Sequence, residues 1–161
     1  MMQSIRHARS ARIDLGAATL LLALAAPAAH ALDPAQWQAV APMLQAAVEC
    51  RERPDTTSAA WRALPHDEYG QVEPVVPPMP FTVFGLPVRE VSVFIDESGE
   101  MGESYTAEFA VGAPAVRNAA KLSGRGERAT QLGALALSND RPATLTCTVA
   151  GRYDESGYAE P

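Results

Sequence analysis

The chain has 161 residues, 13 basic against 19 acidic, and a formal net charge of −6. An acidic surface of this kind repels nucleic acid and anionic lipid and favours basic partners, so nucleic acid is excluded as an expected ligand. The length suits one small domain.

The first expected element is an export leader over residues 1–31. Arg6, Arg9 and Arg12 give a cationic start, residues 15–28 are apolar, and Ala29-His30-Ala31 supplies a small-x-small cleavage site. That order is a secretory signal peptide, and the apolar run is too short for a membrane anchor. The cut site is followed by Leu32-Asp33-Pro34 and the first cysteine is Cys50, so neither a lipid anchor nor any stable membrane anchor is expected. The expected location is the periplasm or the extracellular medium. Removal of the leader leaves residues 32–161 as a single α+β domain with ten basic and eighteen acidic residues.

Cys50 and Cys147 are the only cysteines. In an oxidising compartment they are expected to form one disulfide, joining the end of the first helix to the last strand.

Asp33-Pro34 reads as an N-cap followed by proline at the first helical position. Trp37, Val40, Ala41, Leu44, Ala47 and Val48 then recur with the spacing of one helical face. Pro42 falls inside the pattern and predicts a kink or short break. Residues 51–54 are expected to end the helix, with basic groups near its C-terminus. Residues 58–64 predict a short second helix with Trp61 and Leu64 buried. Five prolines then make residues 65–80 an irregular surface connection inside the domain.

Residues 81–84 predict a short strand, residues 85–87 a turn, and residues 88–95 a second strand with Val91, Val93 and Ile95 on one face. Phe94 lies on the other face, which implies local cover there. Residues 96–103 form a hairpin tip. Residues 104–111 return with Tyr105, Ala107, Phe109 and Val111 inward. Pro114 opens a helix of about nine residues, closed by Ser123-Gly124. Residues 125–130 read as a loop and 132–137 as a strand. Residues 138–142 carry turn chemistry, and residues 143–149 form a strand with Ala143, Leu145, Cys147 and Val149 inward. Residues 152–161 read as a loose tail. The expected fold is thus α+β: an N-terminal helix packed on an antiparallel sheet of four or five strands, with one helix inserted before the last two.

The catalytic inventory is poor. His66 is the one histidine outside the leader, so a multi-histidine zinc site is excluded and any serine or cysteine triad would have to use it. Its place in the Pro-rich connection suits a solvated loop histidine. Gly124-x-Gly126-x-x-Ala129 matches a loose dinucleotide fingerprint, but a helix is expected to end there where a strand is required. No cofactor, metal or catalytic residue is expected, and the chain reads as a non-enzyme.

The tip carries Asp96, Glu97, Glu100 and Glu103 around Met101. It lacks the ligand spacing of a calcium loop. A charged tip on a hairpin suits electrostatically steered entry into a basic cleft. These five residues are the candidate partner-binding set. The expected partner is a protein, a basic hydrolase in the inhibitor or immunity-protein reading. The alternatives are an envelope accessory or assembly factor and, third, a carboxylate-based hydrolase.

Past the last strand, Ser156-Gly157 is similar to the start of a Ser-Gly-x-x-Tyr loop found in periplasmic lysozyme inhibitors of the membrane-bound C-type group. Tyr158 follows Gly157 directly, so the spacing departs from that loop and no residue role is carried over.

Overall fold

The computed structural model of the chain describes residues 32–138 and 141–152. The expected leader, residues 153–161 of the expected tail, and Asn139-Asp140 of the expected turn lie outside the described residues.

Helix α1 spans Pro34–Val48. The Asp33 carboxylate accepts the Ala35 N–H at 2.7 Å, and proline follows the cap as expected. The buried face carries Trp37, Val40, Leu44, Ala47 and Val48. The predicted break at Pro42 is absent: the helix runs through it. Pro42 lies on the exposed side, where water can serve the carbonyl that the proline leaves without a donor.

The helix stops earlier than expected, and without basic residues in its last turn. Glu49 is the C-cap, and Cys50 adopts φ +59°. The Cys50 N–H donates to the Ala47 carbonyl and the Arg51 N–H to the Ala46 carbonyl, both at 2.9 Å. This is a Schellman closure in which cysteine holds the left-handed position usually given to glycine. Cys50 is thereby aimed at the sheet. Its bond to Cys147 closes a sequence separation of 97 residues with the Cα atoms 5.3 Å apart. In the chain-entropy account a loop of that length stabilises the fold by about 4 to 5 kcal/mol.

Helix α2, Ala59–Arg62, is capped by the Ser58 hydroxyl, which accepts the Trp61 N–H at 3.2 Å. Trp61 and Leu64 are buried as predicted. The Pro-rich connection is more fixed than its composition implied. Val75 exchanges two backbone bonds with Val91, and the Gln71 side-chain amide bonds both the N–H and the C=O of Ile95. Val72 and Val75 belong to the core.

Six strands form one sheet: β1 (Thr82–Val83), β2 (Leu86–Ile95), β3 (Gly102–Phe109), β4 (Glu127–Ala129), β5 (Ala134–Ser138) and β6 (Thr144–Ala150). Their order is β1-β2-β3-β6-β5-β4, and all neighbours are antiparallel. Helix α3, Ala113–Ala119, sits between β3 and β4, so three strands follow it where two were expected. The added strand is β4, which falls in the segment expected to be a loop. Helix α3 ends at an Ala120 cap, with Lys121 at φ +53° closing a second Schellman motif. Ser123-Gly124 therefore does not close it.

One sheet face is dry. Val91, Val93, Tyr105, Ala107, Phe109, Leu135, Leu145, Cys147 and Val149 are buried there. Helix α1 packs on β3 and β6 at the centre of the order, and α3 packs on β5. The opposite face is wet, with the Thr106 and Thr146 hydroxyls bonded across the strands at 2.8 Å. Phe94 is on that face and 38% exposed. The cover inferred for it is not found among the described residues.

The β1–β2 turn is two residues, Phe84 and Gly85, both at positive φ (51° and 74°). Positive φ at both positions matches the right-handed twist of the strands. A bulge at Arg89 shifts the β2–β3 register between Val88 and Glu90 and bends that end of β2. The ring of the turn residue Phe84 lies 5.5 Å from the Arg128 guanidinium of β4, a side-chain contact between the two ends of the strand order. Glu49 locks this corner. Its buried carboxylate accepts the Phe84 N–H at 2.8 Å, the Gln45 amide at 3.2 Å and the Arg51 Nε–H at 2.8 Å.

Candidate functional site

The hairpin joining β2 to β3 is organised by Asp96. Its carboxylate accepts the Met101 N–H at 2.7 Å, the Ser98 N–H at 3.0 Å and the Ser98 hydroxyl at 2.8 Å. The Met101 N–H first, then the Ser98 hydroxyl, holds the Asp96 pKa below the ordinary aspartate value. The tip is also tied to the end of β6. The Arg152 N–H donates to the Gly99 carbonyl at 2.9 Å, and its guanidinium donates to the Ser98 carbonyl. Gly102 makes the close approach: it has φ +87°, and a Cβ there would lie 2.2 Å from the Val149 carbonyl oxygen.

Glu103 belongs to the strand and faces the interior edge of the molecule. Arg53 Nε donates to both of its oxygens at 3.0 Å, and the Tyr105 hydroxyl donates to Oε2. Tyr105 is fully buried. Loss of solvation first, and the bond to Glu103 second, push its phenol far above the ordinary pKa of 10.

The five candidate residues therefore divide. Asp96 and Glu103 are used within the fold. Glu97, Glu100 and Met101 remain exposed, Met101 at 72%. Among the described residues neither Glu97 nor Glu100 is in an ion pair.

Behind the tip lies a cleft of about 600 Å³, bounded by residues 53–66 on one side and the hairpin on the other. Val93 and Tyr105 line it from the sheet, and Trp61 lines it from α2. Arg53, Arg62 and His66 line it together with Asp96, Glu97 and Glu103, and the Arg53–Glu103 pair ties the two segments together. Sequence reasoning named the acidic half and missed the basic half. Arg53, Arg62 and His66 follow no motif spacing, and only the packing of α2 and the Pro-rich connection brings them together. No group of histidine, cysteine, aspartate or glutamate suited to a metal ion occurs among the described residues, and no helix there is long and apolar enough to cross a membrane.

Comparison with protein-family models, with curated proteins and with solved structures finds no match to this chain.

Proposed function

We propose that the chain is an exported, non-enzymatic protein-binding module of the periplasm or the extracellular medium, whose contact surface is the β2–β3 tip. Its partner is a basic protein, in the inhibitor or immunity role a basic hydrolase. The observation that carries this reading is the built character of the tip. Asp96, Arg152 and Gly102 fix the loop through bonds and close contact. Two carboxylates and one exposed methionine then project from it. A pre-ordered loop loses little conformational freedom on binding. Its charge steers a basic partner, and Met101 supplies an adaptable apolar contact. The acidic balance of the whole chain acts in the same direction.

Site-specific photo-crosslinking tests the assignment. A photoreactive phenylalanine analogue replaces Met101 in one preparation and Phe94, on the wet sheet face, in another. The proposal expects a covalent adduct with one basic extracytoplasmic protein from position 101 and none from position 94. Adducts of equal yield from both positions, or from 94 alone, would remove the tip as the contact surface.

A further inference from the structure

We infer that the cleft behind the tip is a binding site for a short peptide with free amino and carboxylate ends. Peptide binding here is independent of the tip's role in binding a protein. Glu97 is shared by the two surfaces, whereas Glu100 and Met101 are not part of the cleft wall and Arg62 and His66 are not part of the tip.

Size sets the first condition. A concavity of about 600 Å³ lies within the usual range for small-ligand sites. Its charge pattern sets the second. Every basic residue of the cleft wall comes from residues 53–66, and every acidic one comes from the hairpin. A plain anion would be drawn to Arg62 and repelled by Glu97, and a plain cation would meet the reverse. A molecule carrying one charge of each sign satisfies both walls.

The side chains are prepared for this. Arg53 spends only Nε on Glu103, and that bond orients the guanidinium while leaving the N–H groups of its two terminal nitrogens. Arg62 is exposed and forms no ion pair among the described residues. A carboxylate is the group that planar guanidinium donors recognise best. From the hairpin, Glu97 lines the same cleft, exposed and without an ion pair among the described residues, and it is the acceptor for an ammonium. The half-buried Ile95 and the outer edges of the core residues Val72, Val93 and Trp61 form the apolar part of the lining, against which the peptide's side chains would rest.

Titration calorimetry of the purified protein with leucyl-leucine, its N-acetyl derivative and its C-terminal amide tests the site. The free dipeptide is expected to bind in the millimolar range or tighter, and each blocked form about tenfold more weakly, the effect of losing one charge-assisted hydrogen bond. Arg62→Ala should weaken the free dipeptide about tenfold without weakening the amide further, because the same contact is already lost. Glu97→Gln should do the same with respect to the N-acetyl form. Glycyl-glycine, lacking apolar side chains, should bind less well than leucyl-leucine, and Glu100→Gln should bind the dipeptide like the unaltered protein. Equal heats from free and blocked dipeptides, or no heat with millimolar leucyl-leucine, would overturn the inference. The blocked ligands probe the unaltered protein, so this comparison stands whether or not any variant folds. If the unaltered protein retains no basic protein yet binds the dipeptide, the tip reading fails and the cleft stands.

Discussion

Arg53 and Glu103 stand 50 residues apart in the chain, and the Arg53 Nε donates to both oxygens of the Glu103 carboxylate at 3.0 Å. The same carboxylate accepts the buried Tyr105 hydroxyl. Glu103 is therefore an internal fastener between the loop after α1 and the sheet, and charge reversal there tests the fold more than it tests binding. Glu103→Lys is expected to lower stability by about 2 to 3 kcal/mol, mostly through the stranded phenol. The arginine pair contributes under about 1 kcal/mol of this, because the Arg53 side chain is 56% exposed. Glu100→Lys should change stability by less than about 0.5 kcal/mol. Urea unfolding of the two variants separates them, and equal losses would contradict the division of the acidic tip.

Tyr105 gives a pH signature. Its folded-state pKa is raised by burial and by Glu103. The unfolded chain therefore releases this proton near pH 10, while the folded chain keeps it. The stabilising contribution is complete below that value and is lost as pH rises beyond it. Thermal unfolding followed from pH 8 to 12 should show a fall above pH 10 that is shallower in Tyr105→Phe. Identical slopes would contradict the assignment.

The two Schellman closures predict changes of opposite sign. Lys121 holds φ +53° on the exposed surface, so Lys121→Gly should stabilise the chain by about 1 kcal/mol. Cys50 holds φ +59° while bonded to Cys147. Removal of the bond by Cys50→Ala with Cys147→Ala should cost about 4 kcal/mol. Cys50→Gly with Cys147→Ala should cost about 1 kcal/mol less, because glycine relieves the left-handed backbone. Chemical denaturation of the three proteins measures both effects.

Glu49 is a second fastener, and it is buried. Glu49→Ala leaves the Phe84 N–H without its acceptor and should cost about 2 to 3 kcal/mol. Glu49→Gln keeps an oxygen acceptor and should cost less. Hydrogen exchange at Phe84 reports the bond directly, with faster exchange expected in the alanine variant.

Legibility in the sequence follows pattern strength. Strict alternation through Tyr105, Ala107 and Phe109, and through Leu145, Cys147 and Val149, produced strands β3 and β6 in the expected orientation. The α1 face and the Cys50–Cys147 bridge were legible for the same reason, as each rests on regular spacing or on a single available pair. Strand β4 was not legible. It has three residues, none of them fully buried, and it is held by pairing with β5. Local propensity contributes little to such an element. Of the kink or short break expected at Pro42, the break does not occur, because the helix runs on and the unserved carbonyl lies on the exposed side where water can replace the missing donor. The tip was recognised as acidic, but composition could not distinguish Asp96, which bonds its own loop, from Glu100, which faces solvent. The cleft depends on long-range packing of residues 53–66 against the hairpin, for which the sequence carries no periodic signal.

The most direct test of the binding account is quantitative affinity capture from the extracytoplasmic fraction of the producing cells, run in parallel with the unaltered protein and with Glu97→Lys/Glu100→Lys, at low and at high salt. The account predicts one basic protein retained by the unaltered chain at low salt, released as salt rises, and absent from the charge-reversed variant. Equal retention by both proteins, insensitive to salt, would contradict it.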